Sequence, residues 1–475
     1  MARFIPPASA LAEQSAGQRF GLVALGILMT WGIADVWRTP MLVADQGGLG
    51  FFLLYMSLVG IMAMPAVAAG LSVGRAHMLP APQSLSMALT GRVQSFYWLG
   101  LLMFVCLLTL AVIYLVVGSR VLAYAWWAAT GQLNVSGPDT AAAALSRLLP
   151  EVWPQLGWLA LLSLTLWLIS SRQRRDVMRA TGLLVFLLLI LMGVMGVGIW
   201  KYADPAGGIA VLLAREATRV TPAMFALAGE QALLALGAGV AVFVTVGAYS
   251  RRRFPVGRAL LTWTLADGLL ILLAGVLVLS LAFAEGMMPE VGGRLVFAQI
   301  PYFLSSFPLG SFYTVVVYIW LVLLVLGSLL ALCEPLVYWI EHGGISRRVA
   351  ALVVQALVWV LAVAWLNWEV HAPETVALAT RAFSYLILPL PMLCLTGMVG
   401  YFRGYPQFCQ GLGWPMSAWK SRLLWRMLRY LSFPLMVIIL GLMILRWNSA
   451  PCWLDTNQVA ACAQDGASAM HKAGE

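Results

Sequence analysis

The stretch "MTWGIADVWRTP", Met29 to Pro40, lies inside what otherwise reads as the first hydrophobic helix of the chain. A membrane helix is normally monotonous and apolar, yet this one carries Gly32, Asp35, Arg38 and Pro40 in close succession. A charge near the bilayer centre is costly, so an intramembrane carboxylate marks a candidate functional site wherever the segment spans. The reading of this stretch decides the rest: either an ordinary span with two charges that pair, or a span broken in the middle around a site.

The composition says that it is a span. Hydrophobic residues make up 62% of the 475 and charged ones 10%, against roughly 45–50% and about 25% in soluble domains. Helical spans each need about 20 apolar residues, and such runs begin near Phe20, Gly50, Tyr97, Leu156, Leu183, Met224, Leu260, Tyr313, Ala350, Val376 and Leu431. The expectation is an all-α membrane protein of eleven transmembrane helices. A β-barrel would instead show short alternating strands.

The net charge of +10 raises nucleic acid as a partner, but the placement of the charges argues for none. Arginines and lysines gather in alternate loops: Arg172, Arg174, Arg175 and Arg179; Arg251, Arg252, Arg253 and Arg258; Arg347 and Arg348; Arg403, Lys420, Arg422, Arg426 and Arg429. The loops between are mixed or acidic, with Glu285, Glu290, Glu369 and Glu374. This is the positive-inside pattern. It predicts a cytoplasmic N-terminal segment (1–18), one transmembrane domain (19–447) and an outside tail (448–475); the first 18 residues, with Pro6 and Pro7 and no small-residue cleavage site after a short apolar region, predict no cleaved leader. Cys106, Cys333, Cys394 and Cys409 read as packing residues, whereas Cys452 and Cys462 share the tail and form a candidate disulfide if that compartment is oxidising. No nucleophile–base pair, metal-ligand cluster or phosphate loop stands out, so an enzyme reading has no support and no organic cofactor is expected.

A second segment is interrupted too. "EQALLALGAGVAVF", Glu230 to Phe243, opens the sixth span, and Gly237 and Gly239 break its apolar run. The two broken segments head successive five-helix blocks, about 19–200 and 224–402, with a final helix at about 425–447. Paired interruptions at matching places in two halves point to a transporter's midplane site, because unwound backbone frees N–H and C=O groups to bind substrate and ions. Close helix packing is the bland alternative for such glycines.

The motifs match a known pattern. "RFGLVALGILMTWGIADVWRTPMLVADQGGLGFFLLYMSLVGIMAMP" (Arg19 to Pro65) resembles the opening of the neurotransmitter:sodium symporters. "TLADGLLILLAGVLV" (Thr264 to Val278) resembles their seventh helix, "LGSLLALCEPLVYWIEHGGISRR" (Leu326 to Arg348) their eighth and its loop, and "MLRYLSFPLMVIILGLMI" (Met427 to Ile444) their eleventh. The resemblance implies a 5+5 inverted-repeat fold like that of the bacterial leucine transporter, with helices 1 and 6 broken. It implies a symporter-like secondary transporter of amino acids or related amines.

Residue by residue, the resemblance implies a substrate carboxylate held at Gly32, Ile33 and Ala34 and by Tyr114 in "AVIYLVVGS". It implies a side-chain pocket of Leu234, Gly237, Val240, Ser328 and Leu332, and an outer gate of Arg38 and Gln231. The gate's acid is expected near Ala379 and Thr380, where none exists, so Glu374 or Glu230 must substitute. The ion sites depart further. At the first, Asp35, Ala235 and Ala266 stand where the family has Asn, Ser or Thr, and Asn. At the second, Gly327 and Ser328 replace a Thr–Ser pair. Asp35 and Ser328 are thus the candidate sodium ligands, with Asp267 a further ion-coupling acid and Glu334 expected in an interhelical hydrogen bond. The coupling ion is Na+ or H+, and Asp35 has three candidate roles: structural partner of Arg38, cation ligand, or proton acceptor. The lost ligands also motivate a rival reading, a non-transporting membrane sensor or accessory protein that keeps the fold.

Overall fold

A computed structural model describes residues 15–446 apart from 89–95, 134, 136, 138–139, 141–142, 145–151, 204, 214–219, 238–239, 252–253 and 287–291. The candidate disulfide of Cys452 and Cys462, and the tail that carries it, lie outside the described residues. Among the described residues every regular element is helical.

The chain enters through α1 (Ala16–Thr30), started by a capping box in which the Ser15 side chain accepts from the Gln18 backbone and Gln18 reaches back. After a break comes α2 (Ala34–Asp45), inclined at 52° to α1, the two together making one bent span. The remaining long helices are α3 (Leu49–His77), α4 (Tyr97–Ala129), α5 (Val152–Ser170), α6 (Arg174–Tyr202), α7 (Pro222–Gly237), α8 (Val240–Tyr249), α9 (Val256–Ala284), α10 (Leu295–Ser305), α11 (Gly310–His342), α12 (Arg347–His371), α13 (Pro373–Arg403) and α14 (Trp419–Leu445).

Nine of these described helices are long and apolar enough to cross a membrane, and the bent pair makes ten. Helices α7 and α8 occupy the place of the expected sixth span; Ala238 and Gly239, where its interruption was expected, lie outside the described residues.

The packing follows the expected two-block logic. Helix α11 lies along α4 and α12 along α5, so the third and fourth helices of one block meet those of the other. Helix α8 packs closely on α3. Glycine permits that approach: a Cβ at Gly74 would strike the Val244 backbone, and one at Gly247 the Leu71 backbone. The bundle interior is mainly apolar but also holds charged groups, and the outer surface is apolar too. Buried groups include Asp35, Arg38, Glu230, Asp267 and Glu334, while Leu164, Leu183, Phe186 and Val360 face outward. An apolar exterior with its charges turned inward suits a hydrocarbon solvent.

Two placements correct the sequence reading. Glu369, expected in an outer loop, lies within α12, is buried, and pairs with Arg120 of α4 at 2.8 Å. Arg403, expected in a loop, ends α13 and is also buried, donating to Ser72 Oγ at 3.1 Å.

Candidate functional site

The break in the first span is the centre of the site. Helix α1 ends at Thr30, Trp31 is extended (φ −100°, ψ 97°), and helix resumes at Ala34. Carbonyls at the end of α1 and N–H groups at the start of α2 thereby lose their usual intrahelical partners.

Asp35 meets this opening from below. Its Oδ2 accepts the Gly32 N–H at 2.8 Å and its Oδ1 accepts the Thr39 hydroxyl at 3.2 Å. Thr39 in turn accepts from Gln231 Nε2 of α7 at 2.7 Å. Asp35 forms no ion pair among the described residues, which removes its structural pairing with Arg38. Both residues lie in α2, beyond the bend, so their i, i+3 spacing survives; the Asp35 carboxylate is instead taken up by Gly32 and Thr39, and the Arg38 guanidinium by Glu230.

Arg38 pairs instead with Glu230, the neighbour of Gln231, and Glu230 also accepts the Tyr385 hydroxyl at 2.9 Å. Both charged residues are buried. The acid beside Arg38 therefore comes from α7, while α13 supplies a tyrosine; Glu374 is exposed in the first turn of α13.

Above the break stands Tyr114 of α4. Its hydroxyl sits so close to Gly32 that a Cβ there would strike it, and it also faces the Ile33 backbone. A larger residue at this position would displace the tyrosine hydroxyl from the break. Gly32, Ile33, Ala34 and Tyr114 are thus gathered at one place. Leu332 is buried in α11, one turn on from Ser328, and Leu234 is half-buried in α7. Gly237 and Val240 end α7 and begin α8.

Ser328 of α11 meets the carbonyls at the end of α1. Its hydroxyl is 3.2 Å from the Leu28 carbonyl, 3.4 Å from the Trp31 carbonyl and 3.1 Å from the Leu324 carbonyl. One hydroxyl proton serves one acceptor well, so three surrounding carbonyls form an oxygen-rich cluster with spare lone pairs. Two of them belong to the unwound end of α1, where the helix dipole also presents negative charge. Gly327 is filled against Leu28, whose side chain a Cβ would contact. A hard cation takes oxygen ligands, and this donor set fits one; among the described residues no cluster of three His, Cys, Asp or Glu offers a transition-metal site.

Asp267 of α9 is fully buried. The Tyr55 hydroxyl donates to its Oδ2 at 2.6 Å, and its Oδ1 has no hydrogen-bond partner. Ala266 and Ala235, where oxygen ligands were expected, bring no side-chain oxygen.

One buried cluster escaped the sequence reading and another goes beyond it. Arg120 makes a two-pronged contact with Glu369, at 3.1 and 2.8 Å, and donates to Gln155 Oε1 at 3.1 Å, tying α4, α5 and α12 together. The signal was present: an arginine in a membrane helix requires a partner. At the arginine-rich end, Glu334 accepts from Tyr249 at 2.7 Å and from Arg347 at 2.7 Å, so its interhelical hydrogen bond carries an ion pair as well.

Comparisons with known proteins bear on the fold. No family model matches the chain. It is 24% identical over 339 residues to the uncharacterized sodium-dependent transporter YhdH of Bacillus subtilis, spanning 70% of this chain and 73% of that one. It is 22% identical over 319 residues to an uncharacterized sodium-dependent transporter of Haemophilus influenzae, spanning 65% and 69%. The crystal structure of MhsT in complex with L-phenylalanine superposes with a TM-score of 0.79 at 21% identity, covering 91% of this chain and 99% of MhsT, so the fold is shared.

Proposed function

We propose that this chain, a member of the neurotransmitter:sodium symporter family, is a secondary transporter of amino acids or related amines that works by alternating access. The observation that carries the reading is that a single unwound turn serves two purposes. Tyr114 stands over Gly32, and Ser328 gathers the Leu28 and Trp31 carbonyls.

In this reading the Ile33 and Ala34 N–H groups and the Tyr114 hydroxyl hold a substrate carboxylate. The Leu28, Trp31 and Leu324 carbonyls and the Ser328 hydroxyl hold Na+. Ordering the carbonyls of the turn orders its amides as well, so each ligand favours the other by a shared conformational cost. Arg38, Glu230, Gln231 and Tyr385 close the site above. Asp35 and Asp267 distinguish the ion chemistry: the charge of Asp35 offsets the oxygens missing at Ala235 and Ala266, or it carries a proton and makes H+ the coupling ion. The span pattern supports eleven crossings in a bacterial inner membrane, N-terminus cytoplasmic and C-terminus periplasmic.

A second reading is a sensor that binds without transporting. The replacement of three oxygen-bearing ligands by Ala235, Ala266 and Gly327 favours it. A thermal-stability screen of the purified protein against amino acids and amines, in sodium and in potassium, tests both ligand claims, because ligands of the folded state raise its stability by mass action. Stabilisation by an amino acid that grows with sodium is expected; no response to any amino acid or amine in either salt would overturn the site.

A further inference from the structure

A pocket of about 410 Å3 opens at the arginine-rich end of the bundle, where α5 ends and α6 and α12 begin. Trp167, Ser171, Arg172, Asp176 and Arg348 are among its lining residues. It lies apart from the substrate and ion site, and nothing in the transport reading uses it.

Three features say what it takes. First, the Arg172 and Arg348 side chains are exposed and make no ion pair among the described residues, and the one acid in the lining, Asp176, is paired with Arg179 at 3.2 Å. Guanidinium groups match phosphate oxygens in geometry as well as charge. Second, the rim is fixed: Arg347 Nε donates to the Arg172 carbonyl at 2.7 Å, and Trp167 Nε1 donates to the Arg348 carbonyl at 3.3 Å. Helices α6 and α12 start here from Gln173 and Ser346, neither of which caps its helix with a side-chain hydrogen bond. Both long helices therefore present positive ends toward the pocket.

Third, the pocket continues into apolar surface. Leu161, Leu164 and Leu168 are exposed along one face of α5, and Val349, Leu352 and Val353 along α12, which packs beside it. A tryptophan between such a face and an arginine pair is the usual arrangement at a membrane–water boundary.

We propose that this pocket binds the phosphate headgroup of an anionic phospholipid, with Arg172 and Arg348 on the phosphate and the acyl chains on the leucine and valine faces of α5 and α12. Basic pockets between transmembrane helices bind lipid headgroups by this chemistry.

The test is native mass spectrometry of the full chain in detergent, titrated separately with phosphatidylglycerol and with phosphatidylcholine. The wild type is expected to retain phosphatidylglycerol selectively, and Arg172→Ala with Arg348→Ala to weaken that retention roughly 30-fold. Lys420→Ala with Arg422→Ala, the same charge loss in another basic segment, is expected to leave it unchanged. If the double variant does not fold, Arg348→Ala alone is expected to weaken retention about fivefold. Excess inorganic phosphate is expected not to displace the lipid. Equal retention of the two lipids, retention unaffected by the arginine substitutions, or displacement by inorganic phosphate would each overturn the assignment, the last by making free phosphate the ligand.

Discussion

Asp35 turns its carboxylate back onto its own chain: Oδ2 accepts the Gly32 N–H at 2.8 Å, across the break between α1 and α2. The same residue that sets the charge of the ion site therefore also shapes the unwound turn that the substrate is proposed to meet. The amide oxygen of asparagine can accept the same N–H, so Asp35→Asn separates the two roles. The variant is expected to fold with a loss below about 1 kcal/mol, and to change or lose its dependence on sodium or pH in uptake assays. Unchanged ion dependence would leave Asp35 as a structural acceptor only.

The Arg38–Glu230 pair is buried, and removing one member of such a pair leaves a charge without compensation. Arg38→Met should cost about 3–5 kcal/mol of stability. Arg38→Met combined with Glu230→Leu should recover most of that loss, since neither charge is then stranded. Denaturation in detergent compares the three proteins. A double variant no more stable than the single one would mean that the pair is not what couples α2 to α7.

The carbonyl cluster around Ser328 has a direct test. Ser328→Ala removes the only side-chain oxygen of the four and should weaken sodium-dependent stabilisation roughly tenfold in apparent affinity, by loss of about one ligand's worth of energy. The packing of Gly327 on Leu28 means that the hydroxyl cannot simply be supplied from the neighbouring position. A Ser328→Ala protein with unaltered sodium response would move the cation elsewhere.

What the sequence made legible, and what it hid, divides along physical lines. The spans and the bend of the first helix were readable, because apolar runs and the Gly32, Asp35, Pro40 interruption are local signals. The partner of Arg38 was readable only as a choice: i, i+3 spacing offered Asp35 and the gate pattern offered Glu374 or Glu230, and the tertiary contact with α7 selects Glu230. The Leu28, Trp31 and Leu324 carbonyls have no sequence signature at all, since backbone oxygen is common to every residue. Glu369 read as a loop acid because its partner, Arg120, lies 249 positions away.

Tyr114 offers the substrate-side counterpart. Tyr114→Phe keeps the ring over Gly32 and removes only the hydroxyl, so folding should be preserved. Substrate affinity should fall roughly tenfold or more, the worth of a hydrogen bond to a charged group. Isothermal titration with the stabilising amino acid measures it, and an unchanged affinity would take Tyr114 out of the site.

The central claim is that ligand binding at the broken helix drives movement across the membrane. Purified protein in proteoliposomes, given labelled amino acid under an inward sodium gradient, an inward proton gradient or neither, tests it most directly. Accumulation above equilibrium is expected under one of the two gradients, and it should vanish when that gradient is collapsed. Saturable binding with no accumulation under either gradient would contradict the account and leave a sensor built on a transporter fold.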